Sequence, residues 1–406
     1  MWARRDFLKA GGAGALALVA GGVPPARAAG EPFRIGALNP VTGAGSPYGS
    51  GMQRAILLAA EEINAAGGAA GRKLEVFPED SQTSPDAGVL AAKKLIEVNK
   101  VEAILGTWSS GVTLAVAPIA EAAGILHMTN AGAGPVTEMT KKGLIFRFSA
   151  ISEHIGEVHA GLAAQQGYSR VATMAFNNAS GRGVTSGAKS AWEKLGKKLV
   201  AEVVYEPNRP SYRSEIQKVL AADPDVIIMG AFLPDMTIIV REVRQAGSEV
   251  AFIAPAFAAT QKLIDDLGPE MTNGILTTDY VAALQSPAYA GFAKRFKETT
   301  GSEVGDNYYA SCAYDMVVVT ALAIEAAGSG AERDKIVSMI RQIANPPGKA
   351  VSSFAEGRAA LRAGEKINYE GASGPLDFDQ KGDVRPLFKL SVMKNGKIEF
   401  IRMLDL

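Results

Sequence analysis

Residues 33–77, FRIGALNPVTGAGSPYGSGMQRAILLAAEEINAAGGAAGRKLEVF, decide the fold of this chain. The apolar run 33–38 predicts a strand, and a turn-rich loop follows it through Gly51. Met52, Ala55, Ile56, Ala59 and Ile63 then recur at helical spacing until Gly67 and Gly68 stop the pattern. Residues 74–77 predict the next strand. A strand, a helix and a second strand in this order build a parallel sheet covered by helices on both faces.

Working outward, residues 86–98 predict a second helix with Ala87, Leu90, Ala91, Leu95 and Val98 on one face, and 101–105 a third strand. The pattern restarts in mid-chain, with strands expected at 171–176, 199–205, 226–229 and 250–253 and helices at 211–221 and 236–246. No long Pro/Gly/Ser linker separates the halves, so two α/β lobes joined by short crossings are expected. The stretch 310–327, ended by Gly328, is apolar enough to be a buried helix. Ligands of open parallel sheets sit beyond the carboxyl ends of the strands. That singles out the loops after Leu38, Leu105, His127, Phe176, Gly230 and Leu276.

At 406 residues the chain suits two domains, and its 42 basic and 42 acidic residues leave no basic stripe for nucleic acid. Arg4-Arg5, an apolar Gly/Ala-rich run and Ala26-Arg27-Ala28 predict a twin-arginine export signal cleaved after Ala28. Gly12, Gly14 and Ala17 imitate a dinucleotide fingerprint inside that signal, but no strand precedes them. Cys312 is the only cysteine, so no internal disulfide can form, and a soluble periplasmic monomer is expected.

From Gly49 to Lys73 the chain resembles the leucine/isoleucine/valine-binding family of ABC-transporter periplasmic proteins. The likeness continues through Glu79-Asp80-Ser81-Gln82-Thr83-Ser84-Pro85, Gly106-Thr107-Trp108-Ser109-Ser110 and Ala117-Pro118-Ile119-Ala120-Glu121. It reaches Tyr369-Glu370-Gly371-Ala372-Ser373-Gly374-Pro375 near the end. The resemblance implies a type I periplasmic-binding fold: two doubly wound lobes, joined by three crossings, that close on a ligand and dock on a membrane permease. It places the crossings near Ser149, Asp279 and Lys389, with lobe 1 at 29–149 and 280–388 and lobe 2 at 150–279 and 389–406.

The same resemblance implies the site. Ser109 and Ser110, with backbone amides at Ala131 and Ala133, would hold a ligand carboxylate through N–H and O–H donors. Tyr48 and Phe232 would pack on its apolar part, and Ser180 stands where the family often has tyrosine. Asn273 falls at the acidic position that pairs with a ligand ammonium, and Asp279 lies nearby to compensate. Trp108 offers a flat platform for a planar ligand. Ala133, Ser180 and Asn273 depart from the amino-acid binders, which makes a non-amino carboxylate or another small polar solute competitive with a small amino acid.

Enzyme chemistry finds no support. Ser109 and Ser110 lack the G-x-S-x-G setting, and the mature chain carries no P-loop. His154 and His159, five residues apart, are not an i, i+4 metal pair and are expected on the surface. No cofactor and no metal are expected. The alternative to transport is a sensor that reports ligand occupancy to a signalling partner through the same fold.

Overall fold

The computed structural model describes residues 30–305 and 307–404; the export signal lies outside them. The first half runs β1 (Phe33–Asn39), α1 (Ser46–Ala65), β2 (Leu74–Asp80), α2 (Pro85–Glu97), β3 (Ala103–Gly106), α3 (Ser110–Ala122), β4 (Leu126–Thr129), α4 (Pro135–Glu138) and β5 (Ile145–Arg147). Its strands form a parallel sheet in the order β2-β1-β3-β4-β5. The α1 residues picked out by spacing, from Met52 to Ile63, are all buried. In α2 the buried face is Gly88, Ala91, Ala92 and Leu95, which leaves Leu90 and Val98 exposed. The spacing there fits two faces, and the small residues win because α2 and α3 approach closely: a Cβ on Gly88 would meet the Val112 side chain of α3.

The second sheet takes its strands from α5 (Ser152–Gln165), β6 (Val171–Phe176), α6 (Ala179–Lys194), β7 (Ala201–Tyr205), α7 (Arg213–Leu220), β8 (Val226–Gly230), α8 (Leu233–Gln245), β9 (Ala251–Pro255), α9 (Gln261–Leu267), α10 (Pro269–Thr272) and β10 (Leu276–Val281). The rest of the chain is α11 (Pro287–Thr300), α12 (Tyr308–Ala327), α13 (Arg333–Ala344), β11 (Lys349–Val351), α14 (Phe354–Arg362), β12 (Ile367–Tyr369), β13 (Leu387–Lys394) and β14 (Lys397–Leu404). The order is β14-β13-β10-β9-β8-β6-β7. This sheet is not wholly parallel, because β13 and β14 run antiparallel at its edge. The β13–β14 pairing is set locally: Asn395 and Gly396 both take positive φ, 50° and 81°, the turn that a two-residue hairpin requires.

The apolar helix α12 carries the chain back to the first sheet, where it is buried against α1 and α13. Its buried acid, Asp315, explains part of the sequence pattern near the end of the chain. The Asp315 carboxylate accepts from Tyr369 Oη at 2.8 Å, Ala372 N at 2.9 Å, and Ser373 N and Oγ at 2.7 and 2.6 Å. Gly371 is needed there, since a Cβ would run into that carboxylate.

The histidines correct the expectation of surface placement. His159 is fully buried, with Nε2 2.8 Å from Thr278 Oγ1, and His127 is fully buried against Thr107 Oγ1. Burial without a counter-charge pushes their pKa values from 6.5 down to about 3 and about 4. Below pH 6.5 the unfolded chain takes up protons that the folded imidazoles still refuse. The stability present above pH 6.5 is therefore lost as pH falls towards those values, on the order of 2 kcal/mol per histidine by pH 5. Urea denaturation at pH 7 and pH 5 measures this loss. His159→Gln should flatten the pH dependence by about that amount, and an unchanged slope would show that the imidazole is not the group responsible.

Candidate functional site

Because every parallel strand is followed by a returning helix, helix N-termini collect at the carboxyl edge of each sheet. Here α3 starts at Ser110, α5 at Ser152, α6 at Ala179 and α8 at Leu233, and all four starts border one cavity between the sheets. Ser109, Ser110, Ser152, Ser180 and Phe232 line it from these helix ends, together with Asn130 and Gly132 from the loop after β4. Each N-terminus carries roughly half a positive charge, so the cavity favours an anion although no charged side chain is among the described residues lining it.

The aromatic side is continuous across both lobes. Trp108 is stacked between Tyr48, at 5.5 Å between ring centroids, and Phe232, at 5.2 Å. Phe257 and Tyr309 meet its ring edge-on at 6.1 and 5.8 Å, and Tyr280 closes the cavity beside them. With the rings packed in this way the cavity measures about 20 Å³, room for about one water. A larger occupant must part the Trp108–Phe232 stack, which joins the first sheet to the second.

The polar groups are placed in more detail than the sequence allowed. Ser110 Oγ accepts from Ala133 N at 3.1 Å, and Ala131 N donates to Thr129 Oγ1 at 3.0 Å. The two amides expected to hold a ligand carboxylate are thus already used inside the loop. Ser110 keeps its own proton to donate. Ser180 Oγ lies 3.2 Å from Ser152 Oγ, which puts Ser180 in the cavity wall. Gly132 lets that wall close: a Cβ on it would stand 2.5 Å from Ser152 Oγ.

Asn273 is corrected. It is exposed beyond α10, and its Oδ1 accepts from Asn395 N at 2.9 Å, holding the β13–β14 turn instead of facing the cavity. Asp279 also lies outside this cavity, on β10 opposite Lys389 of β13 and 3.6 Å from its Nζ.

Asn130 was not singled out from the sequence. It is 3% exposed, lines the cavity, and neither Oδ1 nor Nδ2 has a hydrogen-bond partner. A buried carboxamide without partners is costly, which makes it the clearest unsatisfied group in the cavity. Only its place after β4 pointed to it.

The loop that carries Asn130 is held by a buried ion pair. Arg147 Nε donates to Asp383 Oδ1 at 2.8 Å, with side chains 0% and 6% exposed. Its Nη2 reaches Thr137 Oγ1 at 3.0 Å and Gly134 O at 3.4 Å. Thr137 Oγ1 in turn donates to Asp383 Oδ2 at 3.1 Å.

Residues 32–394 match the periplasmic binding protein family. A leucine-, isoleucine-, valine-, threonine- and alanine-binding protein of Pseudomonas aeruginosa is 27% identical over 360 residues, covering 88% of each chain. The structure matches a leucine-binding protein from Thermotoga maritima with a TM-score of 0.77 at 26% identity, over 92% of this chain and 99% of that one. It shares its fold with an ABC-transporter solute-binding protein of R. palustris in complex with benzoate, with a TM-score of 0.73 at 20% identity over 92% of this chain and 96% of that one.

Removing one partner of the Arg147–Asp383 pair strands a buried charge. Asp383→Asn should cost about 3–5 kcal/mol in denaturant unfolding, while replacing both residues with apolar ones of similar volume should recover most of it. An exposed pair would show less than about 1 kcal/mol in the same measurement.

Proposed function

This chain belongs to the periplasmic binding protein family as the solute-binding component of an ABC transporter, and we propose that its cleft captures a small planar aromatic carboxylate. One observation carries this reading. Four helix N-termini and the hydroxyls of Ser109, Ser110, Ser152 and Ser180 face a wall made by Trp108, Phe232, Phe257, Tyr280 and Tyr309, with no acidic side chain in the lining. Neutral donors and helix dipoles suit a carboxylate, and flat rings suit a flat apolar body. An ammonium would meet the positive ends of the helices with no counter-ion in the lining, at a cost of several kcal/mol.

A small α-amino acid is the competing reading. Glu153, next to Ser152, has a buried Oε2 without a partner, and that oxygen is the nearest candidate for an ammonium. The relative from P. aeruginosa is named for amino acids. Glu153 does not line the cavity, which is why the carboxylate reading is preferred.

Capture proceeds by hinge closure, one lobe taking the ligand first and the other shutting over it. The lobes are assigned to 29–149 with 280–388 and to 150–279 with 389–406. This division is supported by α12 packing on α1 and by β13 and β14 extending the second sheet. Trp108 from one side and Phe232 from the other would grip the ligand ring in place of each other. The closed form of the monomer is what an inner-membrane permease would read, and the twin-arginine signal at Arg4-Arg5 would bring the protein to the periplasm.

Isothermal titration of the wild-type protein with benzoate and with L-leucine tests the reading. Benzoate should bind one per chain, and leucine should fail to displace it. Ser110→Ala, which deletes a hydrogen bond to a charged group, should weaken benzoate about tenfold or more. Asn130→Leu should also weaken any ligand whose polar group it holds. Leucine displacing benzoate, or binding alone in a manner lost in Glu153→Gln, would assign the cleft to amino acids.

A further inference from the structure

The second sheet ends on β14, and no strand pairs with its outer side among the described residues. The outward amides and carbonyls of such an edge are an open template for another strand. β14 is also exposed on both faces from Lys397 to Met403. Four of those residues, Ile398, Phe400, Ile401 and Met403, are large apolar side chains 36% to 61% exposed. The opposite edge, β7, has Val204 as its single exposed large apolar residue. Scattered exposed hydrophobics are ordinary, but a run of them along an unpaired edge marks a contact surface.

A bulge decides how these side chains are shared between the two faces. Residues directly opposite in an antiparallel ladder point to the same face, and faces alternate along a strand. Ile398, Phe400 and Met403 lie opposite Met393, Ser391 and Lys389, whereas Lys397, Glu399, Arg402 and Leu404 lie opposite Lys394, Val392, Leu390 and Phe388. Ile401 is opposite no residue, because the register shifts between Leu390 and Ser391. Ile398, Phe400 and Met403 thus share one face of β14, and the other carries the charges. In an unbulged strand Ile398 and Met403 would fall on opposite faces.

We infer that β14 pairs with β14 of a second copy of this chain, antiparallel and about a two-fold axis between Phe400 and Ile401. An axis perpendicular to the sheet keeps each face on its own side and sets Ile398 opposite Met403 of the partner subunit, apolar against apolar. Charge complementarity selects this register. Glu399 falls opposite Arg402 of the partner subunit and Arg402 opposite Glu399 of the partner subunit, so symmetry supplies two opposite-charge pairs. Within its own chain Arg402 donates to Gln165 Oε1 at 2.7 Å. That acceptor is neutral, and a guanidinium has further donors for a carboxylate. Moving the register by one residue sets Ile398 against Arg402, or Glu399 against Met403, side chains that lie on opposite faces. Each protomer keeps its own cleft, since β14 does not line it, and the monomer remains the unit that captures ligand whatever the cleft takes.

Sedimentation equilibrium over a wide range of protein concentration tests the pairing. The wild-type protein should pass from monomer to dimer as concentration rises. Glu399→Arg and Arg402→Glu each set like charges opposite one another twice in the homodimer, and each should weaken association about tenfold or more. An equimolar mixture of the two variants restores both opposite-charge pairs in the heterodimer, which should associate about as tightly as the wild type. That recovery also shows that neither variant is misfolded. A monomer at every concentration overturns the proposal and leaves the edge to a strand from another protein. So does a mixture that associates no more tightly than either variant alone, which would place any dimer contact elsewhere.

Discussion

A parallel strand can be followed by another only if the chain returns across the sheet, and the returning helix always starts at the same edge. The positive ends of α3, α5, α6 and α8 gather around one cavity for this reason. Anion preference is thus a property of the topology before any side chain is chosen. The serines at these helix starts add proton donors to a field that the backbone already supplies, and no lysine or arginine has to be buried.

Buried polar anchors fix the loops and helices around the first sheet. Arg147 ties the end of β5 to the loop after β4 and to Asp383, close to where the chain crosses into β13. Asp315 gathers Tyr369, Ala372 and Ser373 onto the buried helix α12. Such groups are weak sources of net stability, because desolvation cancels much of their attraction. They specify position instead, since a shifted loop would leave a charge or a carboxylate unpaired. The Asp279–Lys389 pair between β10 and β13 differs in being only partly buried and longer.

The aromatic contacts divide along the same line. Trp108 belongs to the first lobe and Phe232 to the second, and their stacking joins the lobes across the cleft. A ring that binds a ligand well is also a ring that binds its opposite number well, since both contacts draw on the same apolar area and the same offset geometry. On the proposed reading, closure and ligand selection use the same side chains.

Periodicity and turn chemistry in the sequence were enough to determine the alternating lobes, the buried face of α1 from Met52 to Ile63, the loops that carry Ser109, Ser110 and Ser180, and the buried character of 310–327. These are local properties, set by spacing along one element. The face of α2 depended on how near α3 packs, so Leu90 was exposed and Gly88 buried. Asn273 and Asp279 were misplaced by their distance along the chain. Position in a sequence motif does not say which wall of a folded cleft a side chain meets, and Asn273 is occupied by the β14 hairpin 122 residues away. Nothing in the sequence marked the Asn130 side chain beyond its place after β4. What marks it is a missing hydrogen-bond partner, and partners are assigned only when distant segments pack together.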